Sequence, residues 1–224
     1  MPRPAGLNAG AAGAVFALLT VIAGWAPAGA QDTGCARELR LTAASDGLVD
    51  LRVSAPCEPY MRVDIAYGPF VLTEETSHEG HVDLRLPRVA AVPEAVARIS
   101  DAVLFAALPA ASDPTPGYVA LIWSGDADLI LVPPADGGAA HQISLGFPFG
   151  DQARRAEILV LDPETPVPVF ADIAIGGRPC ANMPIRAALL SSAGDSRVPL
   201  TLPTPGCGPA EEVVRLALPT DSGS

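Results

Sequence analysis

The feature that most constrains the fold is a repeated alternation of apolar and polar side chains. In the segment 48–54, Val49, Leu51 and Val53 alternate with polar residues. Because successive side chains of a strand point to opposite faces, this pattern predicts a half-buried antiparallel strand. Similar alternation recurs at 63–67, 82–86, 169–175, 185–189, 198–202 and 214–218, with Gly-, Asp- and Pro-containing turns between many of the segments. The pattern predicts an all-β protein built as an antiparallel sandwich.

Three further runs are apolar on both faces, at 118–123, 129–132 and 157–161, and we expect fully buried strands there. The segment 92–101 is the exception, because Pro93 suits a first helical turn and Val96, Ile99 and Val103 fall at helical spacing. We expect a short helix in that segment. Pro184, Pro199 and Pro203 would remove ladder donors, so the strands near them are expected to be edges or interrupted.

The stretch 111–117 contains the breakers Pro114, Pro116 and Gly117, lacks any apolar period and is expected to be a linker or a long loop. It divides the mature chain into two predicted modules, 31–110 and 118–224. Each is expected to be an immunoglobulin-like or related antiparallel β-sandwich. The two cysteine-containing segments resemble each other over a short, gapped match, which leaves a duplicated module open.

The first 30 residues have the features of a secretory signal peptide. An apolar stretch runs over Ala14–Trp25, Pro27 follows, and small residues end the segment at Ala30. We therefore expect cleavage after Ala30 and a periplasmic or secreted mature protein beginning at Gln31. An uncleaved signal anchor is the alternative, since the uncharged stretch 4–31 could span a bilayer. No second segment approaches that length, so no membrane span is expected after processing.

The chain is acidic, with a formal net charge of −11. A charge of this sign disfavours binding to nucleic acid and to anionic membrane surfaces. We therefore predict neither as a partner.

All four cysteines lie beyond the predicted signal peptide, as Cys35 with Cys57 and Cys180 with Cys207. An even number in an exported chain favours disulfides. Three pairings are possible, and local pairing is the simplest because the two pairs are far apart in the chain. A four-cysteine metal site is the alternative, but the Cys-x-x-Cys spacing typical of such sites is missing.

The sequence also resembles an uncharacterised family of exported Gram-negative bacterial proteins. The resemblance rests on Ala55-Pro56-Cys57 at the end of a predicted strand, the following strands at 62–65 and 70–76 with Gly80, and the later Cys180 and Cys207. It covers most of residues 35–218. Members of this family have no established activity, and the label "translocase" that some carry matches no ATP-binding loop or multi-span pore here. The resemblance therefore implies export and the paired cysteines, and no reaction.

Two short segments contain candidate metal ligands. His78 and His81 have a spacing that can bind a metal, but we expect them at the exposed tip of a hairpin between 73–76 and 82–86. Asp126 and Asp128 could offer oxygen ligands to Ca²⁺, although no EF-hand loop accompanies them and a solvated loop explains them equally well. We predict no metal site and no cofactor.

Candidate catalytic residues are few. His141 and Ser144 could form part of a hydrolytic site with a remote acid, but neither a GxSxG elbow nor a lysine is present. Trp123 lies in a buried run and is expected to anchor a core rather than stack on a sugar.

These observations favour a non-enzymatic binding or structural module of the cell envelope, whose partner would be another envelope protein or a surface polymer. The alternative is an extracytoplasmic hydrolase with a site assembled from dispersed His, Ser and acidic residues. The sequence contains no motif that decides whether the protein is an enzyme.

Overall fold

The structure is a computed structural model that describes residues 34–89, 92–110, 115–125, 127–133, 139–162, 170–175, 184–192, 194–202 and 212–217. Within these ranges the chain forms fifteen strands and one turn of 3-10 helix at Gly150–Gln152. The strands are β1 Glu38–Ala43, β2 Leu48–Ser54, β3 Arg62–Tyr67, β4 Phe70–Glu75, β5 His81–Pro87, β6 Glu94–Ile99, β7 Ala102–Ala107, β8 Tyr118–Ser124, β9 Leu129–Val132, β10 Ala139–Leu145, β11 Arg154–Leu161, β12 Phe170–Ile175, β13 Ile185–Ser191, β14 Gly194–Leu202 and β15 Glu212–Ala217.

The strands form four antiparallel sheets. Their orders are β1-β2-β5, β4-β3-β6-β7, β10-β11-β8-β13-β14 and β15-β12-β9. The predicted all-β sandwich is confirmed. The five-stranded and β15-β12-β9 sheets have an order unlike that of the first two, so the short sequence likeness between the cysteine segments does not extend to a shared strand order.

Burial follows the alternation that the sequence contains. In β2, Val49, Leu51 and Val53 are buried, whereas Arg52 between them is exposed. β8 is instead buried on both faces, because an apolar cluster packs against each face of the five-stranded sheet. Its alternate residues belong to two different apolar clusters: Tyr118, Ala120 and Ile122 to the first, and Val119, Leu121 and Trp123 to the second.

The first cluster joins the β1-β2-β5 and β4-β3-β6-β7 sheets to one face of the five-stranded sheet. The second fills the space between the opposite face and the β15-β12-β9 sheet. Residues 32–224 accordingly form one compact unit. The proposed division at 111–117 stays a prediction, with residues 111–114 outside the described ranges.

Specific contacts join residues from the two sides of that segment. The rings of Phe70 and Tyr118 lie 6.1 Å apart in the first cluster. The backbone N–H of Phe147, just after β10, donates to the carbonyl oxygen of Thr73 on β4 over 2.6 Å. The five-stranded sheet is thus fixed to β4 by both apolar packing and a hydrogen bond.

The helix expected at 92–101 is wrong, because Glu94–Ile99 form strand β6. Ala95, Ala97 and Ile99 are buried with a period of two, whereas Val103 is exposed. Two of the three buried residues are alanines, so the strand period is weak in the sequence. Pairing of β6 with β3 and β7 outweighs the local helical spacing.

Of the three runs expected to be buried on both faces, 129–132 is different. Leu129 and Leu131 of β9 are buried, but Ile130 and Val132 are exposed because only one face of the β15-β12-β9 sheet packs against the second apolar cluster.

Pro199 lies in β14, which is an edge strand of the five-stranded sheet, as expected. The expectation is wrong for Pro184, because β13 begins directly after it and lies between β8 and β14. Pro203 lies outside the described residues.

Candidate functional site

The first predicted cysteine pair is bonded. Cys35 and Cys57 form a disulfide with their Cα atoms 5.2 Å apart. Bonds of this kind persist in oxidising compartments and are rare in the cytosol. Cys180 and Cys207 lie outside the described residues, so the second pairing stays a prediction.

A network of charged groups lies close to this disulfide in the chain. Arg37 donates to Glu58 over 2.5 Å and to Asp101 over 2.8 Å, and the hydroxyl of Ser100 donates to Glu58 over 2.9 Å. The hydrogen bond from Arg37 lowers the pKa of Asp101. The network links Arg37 and Glu58, which lie close to the two cysteines in the chain, to Ser100 and Asp101 in the β6–β7 turn. Its role is therefore structural.

The histidine segment is not a hairpin tip. β4 pairs with β3 whereas β5 pairs with β2, so this connection crosses from one sheet to another. The expectation that 73–76 and 82–86 pair is therefore wrong. His78 is exposed, and His81 is half-buried with its Nδ1 atom unpartnered. In the described ranges, no three His, Cys, Asp or Glu side chains group as a metal site.

The acidic pair near 126 gives no assembled cation site in the described residues. Asp126 lies outside those residues, and Asp128 accepts a hydrogen bond from Arg155 over 3.1 Å. The same guanidinium lies 5.1 Å from the centre of the Trp123 ring, whose N–H donates to the carbonyl oxygen of Ala127 over 2.9 Å. Trp123 is 5% exposed, so its predicted place in a core is confirmed.

The possible catalytic pair is also separated. His141 and Ser144 both lie on β10, where residues three apart point to opposite faces of the sheet. Both side chains are exposed. The strand geometry therefore does not bring the imidazole to the serine hydroxyl as a base.

A cavity of about 380 Å³ lies where the β3–β4 turn and β4 meet the five-stranded sheet. Its volume is within the range typical of small-ligand sites. The lining residues are Pro69, Val71, Ile122, Trp123, Ser124, Arg154, Arg186, Ala187 and Arg197. Every charged side chain among these residues is an arginine.

The strand register brings two of these arginines to Ser124. Arg154 of β11 is the partner of Ser124 on β8. On the other side of β8, Ala187 is the partner of Trp123, so Arg186 is level with Ser124. An arginine therefore flanks Ser124 on each side, in one row across three strands.

The same face of the sheet carries both arginines. Ala156 and Ala188 lie two positions beyond Arg154 and Arg186, and both alanines belong to the first apolar cluster. Side chains two apart share a face of the sheet. The two arginines therefore lie on the same face as these buried alanines, at its solvent-exposed end. Arg197 reaches the cavity from β14, the neighbouring edge strand.

The three cavity arginines are exposed, and none makes an ion pair with any residue in the described ranges. Guanidinium groups carry their charge throughout the physiological pH range, so all three arginines are positive here. An acidic protein that holds three positive charges in one cavity without a carboxylate from its described residues is poised to accept an anion.

A second cavity, of about 470 Å³, provides an internal comparison on the outer face of the β1-β2-β5 sheet. It also has three arginines in its lining, but Asp50 and Asp83 line it too. Each arginine is paired there, Arg40 with Glu38 at 2.8 Å, Arg52 with Asp83 at 3.5 Å and Arg85 with Asp50 at 3.2 Å. This neutralised face needs no external anion.

Sequence reasoning missed the arginine cavity. Its three arginines belong to three different strands and form no motif along the chain. The available signal was the alternation that put Arg186 in a predicted strand. The residues that lie beside Arg186 depend on the strand order, and the strand order cannot be predicted from that pattern.

The chain matches no protein-family model, and no curated protein matches it either. Over the described ranges, the structure has no helix with the length and apolar character needed to cross a membrane.

Proposed function

We propose that this protein is an exported, non-enzymatic module of the cell envelope that binds a surface polymer through an anionic group held in the arginine cavity. The single observation that carries the proposal is the set of three arginines, Arg154, Arg186 and Arg197, without a carboxylate partner in the described residues. The guanidinium fork matches carboxylate, sulfate and phosphate oxygens, and it gives direction as well as charge.

The cavity lining favours recognition over reaction. Besides the arginines it contains a serine, a tryptophan and small or apolar residues. A general base that works near neutral pH requires a group that gains and loses a proton there. Arginine stays protonated, so the described lining can orient an anion but supplies no such base to Ser124.

Three observations support export. The first is the apolar segment ending at Ala30, the second is the resemblance to exported bacterial proteins, and the third is the disulfide between Cys35 and Cys57. The strand orders β1-β2-β5 and β4-β3-β6-β7 also suit an immunoglobulin-related module. They place the fourth strand beside the third, whereas constant-type immunoglobulin domains have it on the other sheet.

A single anionic group on a polymer suits this protein better than an extended polyanion. The net charge of −11 repels a long polyanion from most of the surface. At physiological ionic strength, however, charges farther than about 8 Å are largely screened. One group inside the cavity therefore senses mainly the nearby arginines.

Binding of defined oligosaccharides tests the polymer. The probes are fluorescent maltotetraose, the same sugar bearing one uronate, sulfate or phosphate group, and a Glu-rich peptide, measured by anisotropy with the mature protein. We expect at least one charged sugar to bind, and to bind more tightly than the neutral sugar and the peptide. Tighter binding of the peptide would indicate an acidic protein partner, and binding of no probe would overturn the proposal.

The substitution Arg186→Gln tests the site in the same assay. Arg98→Gln is its matched control, because Arg98 is also exposed and has no ion pair in the described ranges. Both variants lose one positive charge. We expect Arg186→Gln alone to weaken binding of the charged sugar, by about tenfold or more. An equal effect of the two variants would contradict binding in the cavity.

Intact mass spectrometry of protein from the envelope fraction tests export. We expect a mass that begins at Gln31 and gains alkyl groups only after reduction. A mass that retains residues 1–30 would contradict the predicted processing.

A further inference from the structure

We infer that the group held in the arginine cavity is a phosphate monoester, an inference that rests on the proposed function because it names the chemistry of that same site. The first argument is charge. The cavity presents three guanidinium groups and no carboxylate from the described residues. A phosphate monoester carries about −1.5 to −2 at neutral pH, whereas a carboxylate or a sulfate monoester carries a single charge.

The second argument is the number of oxygens. Each guanidinium offers parallel N–H donors that take up two oxygens at once. Arg154, Arg186 and Arg197 enter the cavity from three different strands. A carboxylate has two oxygens and can be gripped well by one fork. A phosphate monoester has three free oxygens, which can be shared among forks that arrive from different directions.

The third argument is the position of Ser124, which stands between Arg154 and Arg186 in the row across β11, β8 and β13. Its hydroxyl can donate to an oxygen between the two charges. Phosphate sites commonly combine charged forks with hydroxyl donors because the anion has more acceptor positions than one arginine can fill.

The remaining wall indicates what carries the phosphate. Pro69, Val71 and Ile122 line the cavity beside the arginines. A volume of about 380 Å³ is within the range of whole small-ligand sites and is more than a phosphate group alone needs. The apolar wall and the spare volume suit an organic group bonded to the phosphate, such as a sugar.

Isothermal titration of the mature, oxidised protein at about 0.15 M ionic strength tests the inference. The probes are inorganic phosphate, glucose 6-phosphate, glucose 6-sulfate and glucuronate. The sulfate ester has the shape of the phosphate ester with a smaller charge, and glucuronate replaces the tetrahedral group by a carboxylate. We expect glucose 6-phosphate to bind about tenfold or more tightly than glucose 6-sulfate and glucuronate.

Inorganic phosphate distinguishes the source of the group. Tighter binding of glucose 6-phosphate than of inorganic phosphate supports a phosphate borne on a sugar, and the reverse order supports free phosphate as the ligand. Only the first order supports the inferred phosphate monoester, and the reverse order contradicts it. Equal or tighter binding of the sulfate ester or glucuronate overturns this inference while leaving the proposed function standing. Failure of every small anion overturns the inference, and the oligosaccharide assay then decides the proposed function separately.

Variants locate the site. Replacing Arg154, Arg186 and Arg197 together by glutamine is expected to weaken glucose 6-phosphate binding at least a hundredfold, since each charge-assisted bond is worth about tenfold or more. The control replaces Arg40, Arg52 and Arg85, which removes the same number of charges from the cavity that contains Asp50 and Asp83. The control should bind as the wild type does. Equal losses in both would show a general charge effect and overturn the assigned site.

The single variant Arg186→Lys separates geometry from charge. Lysine keeps the positive charge but loses the planar fork. We expect a loss of affinity that is smaller than for Arg186→Gln and larger than for Arg98→Lys. Because Arg186 is exposed, both variants should fold, and matching circular dichroism spectra verify this. Wild-type affinity in Arg186→Lys would contradict recognition by the fork.

Discussion

The carboxylate of Glu74 on β4 accepts a 2.7 Å hydrogen bond from the backbone N–H of Gly146, which directly follows β10. These residues are 72 positions apart in the chain, and the bond helps to join β4 to the five-stranded sheet. Burial raises the pKa of Glu74 above its ordinary value of 4.5, and the hydrogen bond from Gly146 opposes that rise only in part. The carboxyl is therefore a charge whose desolvation costs stability.

This relationship predicts a pH dependence. Because the folded state holds the Glu74 proton to a higher pH than the unfolded chain, this group's contribution to stability falls as the pH rises above 4.5. Glu74→Gln keeps an oxygen acceptor for Gly146 without the charge. We expect the variant to gain thermal stability over the wild type as the pH is raised from 4.5 to 7.

The control is Glu75→Gln, which changes the neighbouring residue of β4 on the opposite face. Thermal unfolding of the three proteins across that pH range provides the comparison. A Glu74→Gln variant whose stability relative to the wild type does not change with pH would contradict the desolvation account.

The disulfide predicts a second effect. Cys35 and Cys57 close a loop with a sequence separation of 22, and replacing both by alanine should lower the free energy of unfolding by about 3 kcal/mol through loop-closure entropy. Urea denaturation in oxidising buffer measures the loss. In reducing buffer the wild type loses the same bond, so the wild type and the double alanine variant should have nearly the same free energy of unfolding. A difference that persists unchanged there would assign the effect to side-chain packing.

Gly80 predicts a third effect, because its backbone has φ +77° and a Cβ atom would lie 2.8 Å from Cα of Pro56. Gly80→Ala adds that overlap to the cost of a left-handed conformation. Gly150→Ala is the matched control, with φ +66° and nothing within 4 Å of its Cβ position. The control should cost about 1–2 kcal/mol, and Gly80→Ala clearly more. Equal losses in urea denaturation would contradict the close approach of the β4–β5 connection to Pro56.

The strands were predictable where both the buried and the exposed positions of a strand are chemically distinct. In β2, valine and leucine alternate with Asp50 and Arg52, and the pattern gives the strand directly. In β6 the buried positions include Ala95 and Ala97, so the local sequence carries a weaker strand signal than a helical one. Pairing on both sides decides that segment, and pairing is a long-range property.

The candidate site was not predictable for the same reason. Arg154 and Arg186 become neighbours of Ser124 only through the order β11-β8-β13, in which residues far apart in the chain lie side by side. In the sequence, each arginine of the β1-β2-β5 sheet lies between two apolar residues, as Arg186 does. Only the register shows that Asp50 lies opposite Arg85 there, whereas the described lining of the other cavity contains no acid.

The most direct measurement of the central claim follows the side-chain Nε–Hε signals of the arginines by NMR while glucose 6-phosphate is added to the isotope-labelled mature protein. The account predicts that the signals of Arg154, Arg186 and Arg197 shift together and saturate at one dissociation constant, while those of Arg40, Arg52 and Arg85 stay in place. Unchanged signals from the three cavity arginines, or equal shifts at the paired arginines of the β1-β2-β5 sheet, would contradict it.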